Sequence, residues 1–268
     1  MSPPISELGF CGLATGAAMA GLRPIVDIST GSFIFEGWPQ VANEAANAFS
    51  MSGGQTRVPV VFHLFHGLRG GGAAQHSASP QAMLWNNPGL EIVLPSSPRD
   101  VKGLLKSAVA SDNPTIFVDH VQLLDLKGDV PENDPPIPFG VADIKRKGSD
   151  VTVIATSYMV QRCLQVAAKL ASDGISVEVV DPRTLARIIH GFWKSCEKLA
   201  SFAKHFQFDC QMVNFVQAAT TEVADLVIEW GKNAFLENTP ALVCCDFLEP
   251  GRLVLSERGL ARRRLGEV

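Results

Sequence analysis

Four short runs rich in β-branched residues recur through the first half of the chain: Pro24-Ile-Val-Asp-Ile-Ser, Val58-Pro-Val-Val-Phe-His, Leu90-Glu-Ile-Val-Leu and Pro114-Thr-Ile-Phe-Val-Asp. Helical or glycine-rich stretches separate them, and that alternation restricts this half to a parallel sheet flanked by helices. The intervening helices are expected before Pro24, from Glu36 to Met51, before Asn87-Pro88-Gly89, and from Pro98 to Ser111 with proline in the first turn.

Residues 125–138 carry four prolines and little apolar periodicity, so they read as an exposed linker. A boundary there divides the chain into a first domain at 1–124, the linker at 125–138 and a second domain at 139–268. Beyond it, Val151-Thr-Val-Ile-Ala-Thr, a helix from about Met159 to Ser172, and Ile175-Ser-Val-Glu-Val-Val-Asp make a second βαβ unit. Past Leu185 the pattern weakens, with a helix expected over 216–230 and a last strand over 241–246.

The chain of 268 residues is 46% hydrophobic and 19% charged, with a formal net charge of -4, the balance of a globular protein with a sizeable core. That charge argues against nucleic-acid binding, which wants clustered cations. Arg262-Arg263-Arg264 reads as a solvated tail. No apolar run reaches membrane-spanning length, and no signal peptide opens the chain. The six cysteines, at 11, 163, 196, 210, 244 and 245, lack metal-type spacing and read as reduced core residues.

Two stretches carry chemistry. In the first, Glu7 precedes a helix built from small residues up to Gly21, which lets neighbouring backbones approach and is expected to be buried. The carboxylate is either a helix N-terminal residue meeting the dipole or a functional group. The second is the loop Gly67-Leu-Arg-Gly-Gly-Gly-Ala-Ala-Gln-His76, which can bring one polar group into a cleft. It fits neither a Walker phosphate loop nor a dinucleotide fingerprint. The histidines at 63, 66, 76, 120, 190 and 205 form no helical metal-binding pattern, and His63 and His66 read equally well as packed at a strand end.

Pro4-Ile-Ser-Glu-Leu-Gly-Phe, Gly16-Ala-Ala-Met-Ala-Gly-Leu-Arg-Pro, Met51-Ser-Gly-Gly-Gln, Ala73-Ala-Gln-His-Ser, Pro88-Gly-Leu and Asp100-Val-Lys-Gly-Leu occur in this order. So arranged, they resemble the beta subunits of thiamine-diphosphate-dependent 2-oxoacid dehydrogenases, namely the pyruvate, acetoin and branched-chain types. The resemblance runs from residue 3 to about 185. It implies an α/β fold of two doubly wound domains, a transketolase-like pyrimidine-binding domain lacking its first strand and a transketolase C-terminal-like domain.

The resemblance also assigns roles. Glu7 matches the glutamate that hydrogen-bonds the cofactor's aminopyrimidine, Phe33 the aromatic that stacks on that ring, and the backbone of Ile5 the acceptor of its exocyclic amine. His76 matches the histidine that faces the substrate. A potassium ion would rest on backbone carbonyls near Val58 and Val61 and between Ala108 and Asn113. Thiamine diphosphate and its Mg²⁺ would be held by a Gly-Asp-Gly motif on an alpha subunit, since this chain has none. The implied assembly is an alpha2beta2 heterotetramer that passes its acyl product to a lipoylated dihydrolipoyl acyltransferase. Its place would be the bacterial cytoplasm or the mitochondrial matrix.

Pyruvate heads the implied substrates, with acetoin, branched-chain 2-oxoacids and a truncated, non-catalytic assembly subunit as alternatives. Three departures bear on this. Family chains begin roughly fifty residues earlier, so an edge of the first sheet should be exposed. His63 stands where the family has arginine, followed by Leu64-Phe65-His66 in place of Gly-Pro-Asn. Ala186-Arg-Ile-Ile-His follows Leu185 in place of the family's Pro-x-Asp.

Overall fold

The computed structural model describes residues 2–68 and 70–185 and the backbone of 241–245, so the expected helix over 216–230 and the triple-arginine tail lie outside the described residues. These residues form two compact units, one holding positions up to 141 together with 183–185, the other 142–182 with the strand at 241–245.

The first unit opens with helix α1 (Glu7–Met19), capped by Ser6, whose hydroxyl accepts from the Gly9 amide at 3.3 Å. Cys11, Ala14, Thr15 and Ala18 fall at i, i+3, i+4 and i+7 and are buried. The expected burial of the whole helix does not hold within this chain: Leu8, Leu13 and Met19, on the other faces, are exposed. Small residues let the chain approach on one side only. Strand β1 (Ile25–Thr30) then leads through a 3₁₀ turn (Gly31–Phe35) to a π-helical segment (Pro39–Ala45) and the short helix α2 (Ala48–Met51).

This replaces the single helix expected from 36 to 51. Pro39 brings no N–H to continue an α-helical ladder. Wide-turn bonding such as Ala46 N–H to the Val41 carbonyl, 3.1 Å, takes over. The side chain of Asn47 donates to the carbonyls of Ala42 and Asn43, covering acceptors stranded where the winding changes.

The sheet continues with β2 (Val61–His66), helix α3 (Gln81–Trp85), β3 (Glu91–Val93), helix α4 (Pro98–Ala110) and β4 (Thr115–His120). All pairs are parallel, in the order β1-β2-β4-β3. Phe62 and Leu64 of β2 share one core with Cys11, Ala14, Ile34 and Val41. Val61 and Phe117 share another with Leu104 and Ala108 of α4. Phe62 and Phe117 are essentially sealed from solvent, each contributing about 1.5–3 kcal/mol of transfer free energy. β1 is an edge strand with Ile25 and Asp27 exposed. The edge at β3 is extended by residues 183–185, where the Leu94 amide donates to the Arg183 carbonyl and the Leu185 amide to that of Ile92.

The stretch 125–138 has no strand or helix and most of its residues are exposed, yet it is strapped along α4. Lys102 donates to the carbonyls of Pro131 and Glu132, Lys106 to that of Asp134, and Arg99 grips the Asp134 carboxylate with two N–H groups. Ile137 seats its side chain at Gly103, and its amide donates to the Gly103 carbonyl.

In the second unit β6 (Val151–Ala155), β7 (Val177–Asp181) and β8 (Ala241–Cys245) are parallel, and β5 (Asp143–Arg146), unforeseen in the sequence, pairs antiparallel with β7. Helix α5 (Tyr158–Ser172) buries Val160, Ala167 and Leu170 against this sheet.

Candidate functional site

Phe33 and His76 meet at the carboxyl end of the first sheet. Phe33 sits in the turn that directly follows β1, and His76 ends a short 3₁₀ turn (Ala74–His76) in the glycine-rich loop after β2. Their rings stand edge to face, centroids 5.3 Å apart and planes at 88°. The loop is tied to the Phe33 turn by Ser32, whose hydroxyl donates to the Gln75 carbonyl. Nδ1 of His76 is buried with no hydrogen-bond partner, an orphan that calls for a group from outside this chain's described residues.

Glu7 is the first residue of α1, half-buried, with its carboxylate in the positive field of the helix start. Among the described residues it has no hydrogen bond or ion pair, and no ring contact joins it to Phe33 or His76. Its neighbourhood is nevertheless shared with the Phe33 segment. Gly37 lies so close that a methyl there would meet Cys11 Sγ at 3.0 Å and the Glu7 carbonyl at 3.4 Å. Burial, reinforced by the Glu7 charge, pushes the Cys11 thiol up to about 12, so it is an inert filler. Ile5 precedes the helix, 94% exposed.

The residues named for potassium lie at the opposite, amino end of the strands. Val58 and Val61 are buried beside Pro114 and Thr115 of the neighbouring strand segment; the Val58 carbonyl accepts from the Val60 amide. Ala108 is buried on α4, its carbonyl accepting from Ser111 N–H. Asn113 spends its side-chain amide on Glu91, 3.2 Å away, and Glu91 also accepts from Ser111. Among the described residues no group of three or more His, Cys, Asp or Glu side chains could hold a metal.

Two polar clusters escaped sequence reasoning. On one face of the sheet His63 lies between Asp27 of β1, 3.3 Å from its Nδ1, and Asp119 of β4, 3.0 Å from its Nε2. On the other, buried His66 places Nδ1 against Ser79 Oγ at 3.2 Å and Gln81 Nε2 at 2.6 Å, while its ring meets that of His120 at 4.5 Å. Together Ser79 and Gln81 bring the exit of the glycine-rich loop back to its start. Gly67 makes this possible: its φ is +96°, and a Cβ there would fall 2.3 Å from His120 Nε2. Burial, with His120 nearby, holds His66 well below the usual imidazole range, and burial lowers His120 to about 4. Both are neutral at pH 7. The only sequence signal was alternation: His63 and His66 sit at odd and even positions of one strand, as do Asp119 and His120 of its neighbour.

Residues 1–127 match the family described as transketolase, pyrimidine binding domain, and residues 140–190 match transketolase, C-terminal domain. The chain is 46% identical over 182 residues to the pyruvate dehydrogenase E1 component subunit beta of Rickettsia felis, covering 68% of this chain and 56% of that one. It is 42% identical over 186 residues to the beta subunit of acetoin:2,6-dichlorophenolindophenol oxidoreductase of Bacillus subtilis, covering 69% and 54%. To the 2-oxoisovalerate dehydrogenase subunit beta of the same organism it is also 42% identical over 186 residues, covering 69% and 57%. The chain thus spans little more than half the length of these relatives. A solved structure titled split gene transketolase, inactive beta4 tetramer, superposes with a TM-score of 0.57 at 20% identity, covering 91% of this chain and 75% of that one, a likeness of fold.

Proposed function

We propose, from the match of residues 1–127 to the transketolase pyrimidine-binding domain and of 140–190 to the transketolase C-terminal domain, that this chain is the beta subunit of a 2-oxoacid dehydrogenase. In this reading it works with an alpha subunit in oxidative decarboxylation of a 2-oxoacid and passes the acyl group to a lipoylated acyltransferase. Pyruvate heads the substrates because it is the commonest in the names of the relatives, with acetoin and branched-chain acids behind it. Those relatives are bacterial and mitochondrial, which supports a bacterial cytoplasm or mitochondrial matrix as the setting.

The observation that carries the reading is the buried Nδ1 of His76, without a partner among the described residues, set against Phe33 at the carboxyl end of the sheet. The Glu7 carboxylate at the start of α1, without a partner among the described residues, accompanies it. These residues fit an aminopyrimidine. Glu7 would share a proton between its carboxyl oxygen and a ring nitrogen of similar basicity. The Ile5 carbonyl would accept from an exocyclic amine, and the ring of Phe33 would pack on the flat heterocycle. His76 would hold or give a proton at Nδ1 where negative charge develops on the substrate. Thiamine diphosphate, when bound, supplies the carbon nucleophile and the electron sink that decarboxylation needs. Its diphosphate and Mg²⁺ would rest on the alpha subunit, for which the exposed Leu8, Leu13 and Met19 of α1 offer a docking face. Potassium near Val58, Val61, Ala108 and Asn113 belongs to the same proposal, since a carbonyl that accepts one N–H keeps a second lone pair.

Co-expression with a candidate alpha chain tests the reading, followed by light scattering and calorimetric titration with thiamine diphosphate and Mg²⁺. An alpha2beta2 complex that binds cofactor is expected. Glu7→Gln should keep the assembly and lose about 10²–10⁴-fold in turnover. Full turnover in that variant would sink the assignment of Glu7. A complex that forms but never binds cofactor would make the chain a non-catalytic assembly subunit.

A further inference from the structure

The exit of the glycine-rich loop is gripped from two sides. Gln81, the first residue of α3 and sealed from solvent, brings its amide nitrogen to 2.6 Å from His66 Nδ1, and Ser79 Oγ lies 3.2 Å from the same nitrogen. Pro80, between them, packs instead on Gly31, which opens the turn that holds Phe33: a Cβ on that glycine would fall 3.2 Å from the proline ring and 3.2 Å from the Ala78 carbonyl. The next two residues of that turn, Ser32 and Phe33, meet Gln75 and His76. The amide of Gln81 is held against its own interest, since its Oε1 is buried without a partner among the described residues. A side chain that only filled this space would be more stable without it.

We infer that Gln81 and His66 form a buried latch that positions His76, fastening the loop exit to β2 so that the loop stays pressed on the turn of Phe33. The loop has little else to hold it. Ala73, Ala74 and Gln75 are exposed, and the His76 amide reaches the Gly72 carbonyl at 3.2 Å and the Ser77 amide that of Ala74 at 3.4 Å, both at the long end for a hydrogen bond. Gly70, Gly71 and Gly72 add no stiffness. The anchor, by contrast, is rigid: His66 ends β2 in register with His120 of β4. Gln81 and His66 are thus positioning residues that act through His76 and not on a substrate.

Such a latch separates local order from global stability. Gln81→Met keeps the length and volume of the side chain and removes the amide, and the orphaned Oε1 goes with it, while His66 Nδ1 keeps Ser79. Stability should therefore hold or rise as the loop loosens, whereas a residue that served the core alone would move both together. The latch stands on geometry; only its consequence for turnover rests on the proposed function, in which His76 faces the substrate.

The test takes the full chain labelled with ¹³C at histidine Cε1 and compares, by NMR at one fixed pH, the wild type with Gln81→Met, His66→Leu and His66→Asn, the last of which keeps an amide that can meet that of Gln81. In the first two variants the His76 signal is expected to shift or broaden and the amides of residues 72–77 to exchange about tenfold faster, while β2 and β4 keep their protection and Gln81→Met keeps a Tm no lower than the wild type's. His66→Asn should restore the wild-type His76 signal. A His76 signal unmoved by Gln81→Met overturns the latch, and so does a loss of protection spread evenly over the sheet. Should either Gln81→Met or His66→Leu fail to fold, the other decides. In a cofactor-binding complex with an alpha chain, Gln81→Met should lower kcat by about 10–10²-fold at unchanged thiamine diphosphate affinity. An unchanged kcat beside a moved His76 signal would overturn the role given to His76 and not the latch, and a wild-type complex that binds no cofactor would count against the proposed function alone.

Discussion

His76 is held by a backbone under local stress. Ala73, which begins its turn, has φ +50° and ψ −160°, a region that glycine visits freely and alanine does not. Ala73→Gly should relieve about 1–3 kcal/mol of strain, offset in part by about 0.5–1 kcal/mol of added unfolded-state freedom, so the variant is expected to be more stable. Chemical denaturation midpoints check this, and a lower midpoint would mean that the turn is unstrained. Under the proposed function, the same variant should also bind thiamine diphosphate less tightly in a complex with an alpha chain, because glycine at 73 leaves the His76 turn free to move. Glu7, Phe33 and His76 owed their assignment to resemblance, because a glutamate before a helix and a histidine in a glycine loop are each ambiguous by themselves. The Asp27–His63–Asp119 cluster left no more than alternation in the sequence: its members lie on three strands, and nothing short of their register brings them together.

Among the elements, α4 shows most clearly what the sequence withheld. Arg99, Lys102, Gly103, Lys106 and Ser107 occupy one stripe of that helix, and every one of them engages residues 131–137. The strap looks like a free linker in sequence because its anchors are mostly its own carbonyls, which leave no mark in the residue pattern. The strands of the first sheet were legible because β-branched runs register wherever they are buried. The Pro39 region was not, because a proline can either open a helix or change its winding. The strap yields a sign test. A Cβ at position 103 would lie 2.5 Å from Ile137 Cγ1, so Gly103→Ala should destabilise although alanine is the better helix former by about 1 kcal/mol. In an Ile137→Ala background the clash is gone and the same change should stabilise. Ile137→Ala alone should cost about 1–2 kcal/mol, less than a fully buried isoleucine would. Additive effects in the double-mutant cycle would mean that the strap does not bear on Gly103.

At the scale of the whole molecule, two histidine sites oppose each other across the pH range. His66 and His120 are neutral in the fold and take up protons on unfolding, so the unfolded chain binds more protons below about 6.5 and stability falls from there toward the folded value of about 4 at His120. His63 acts in the other direction and withdraws its contribution as pH rises. The expected curve of Tm against pH is a dome near neutrality, with His120→Asn flattening its acid limb alone; an acid limb unchanged by that substitution would remove His120 from the account. The chain leaves and re-enters the first unit at a single spot. Arg183 donates to the Val141 carbonyl at 2.8 Å, and the Gly140 amide to Thr184 Oγ1 at 3.0 Å. The sheet of the first unit therefore never feels the length of what is threaded between those points. Residues 142–182 and 241–245 build a sheet of their own, so changes there can accumulate over generations while the Phe33–His76 end of the first unit keeps its geometry.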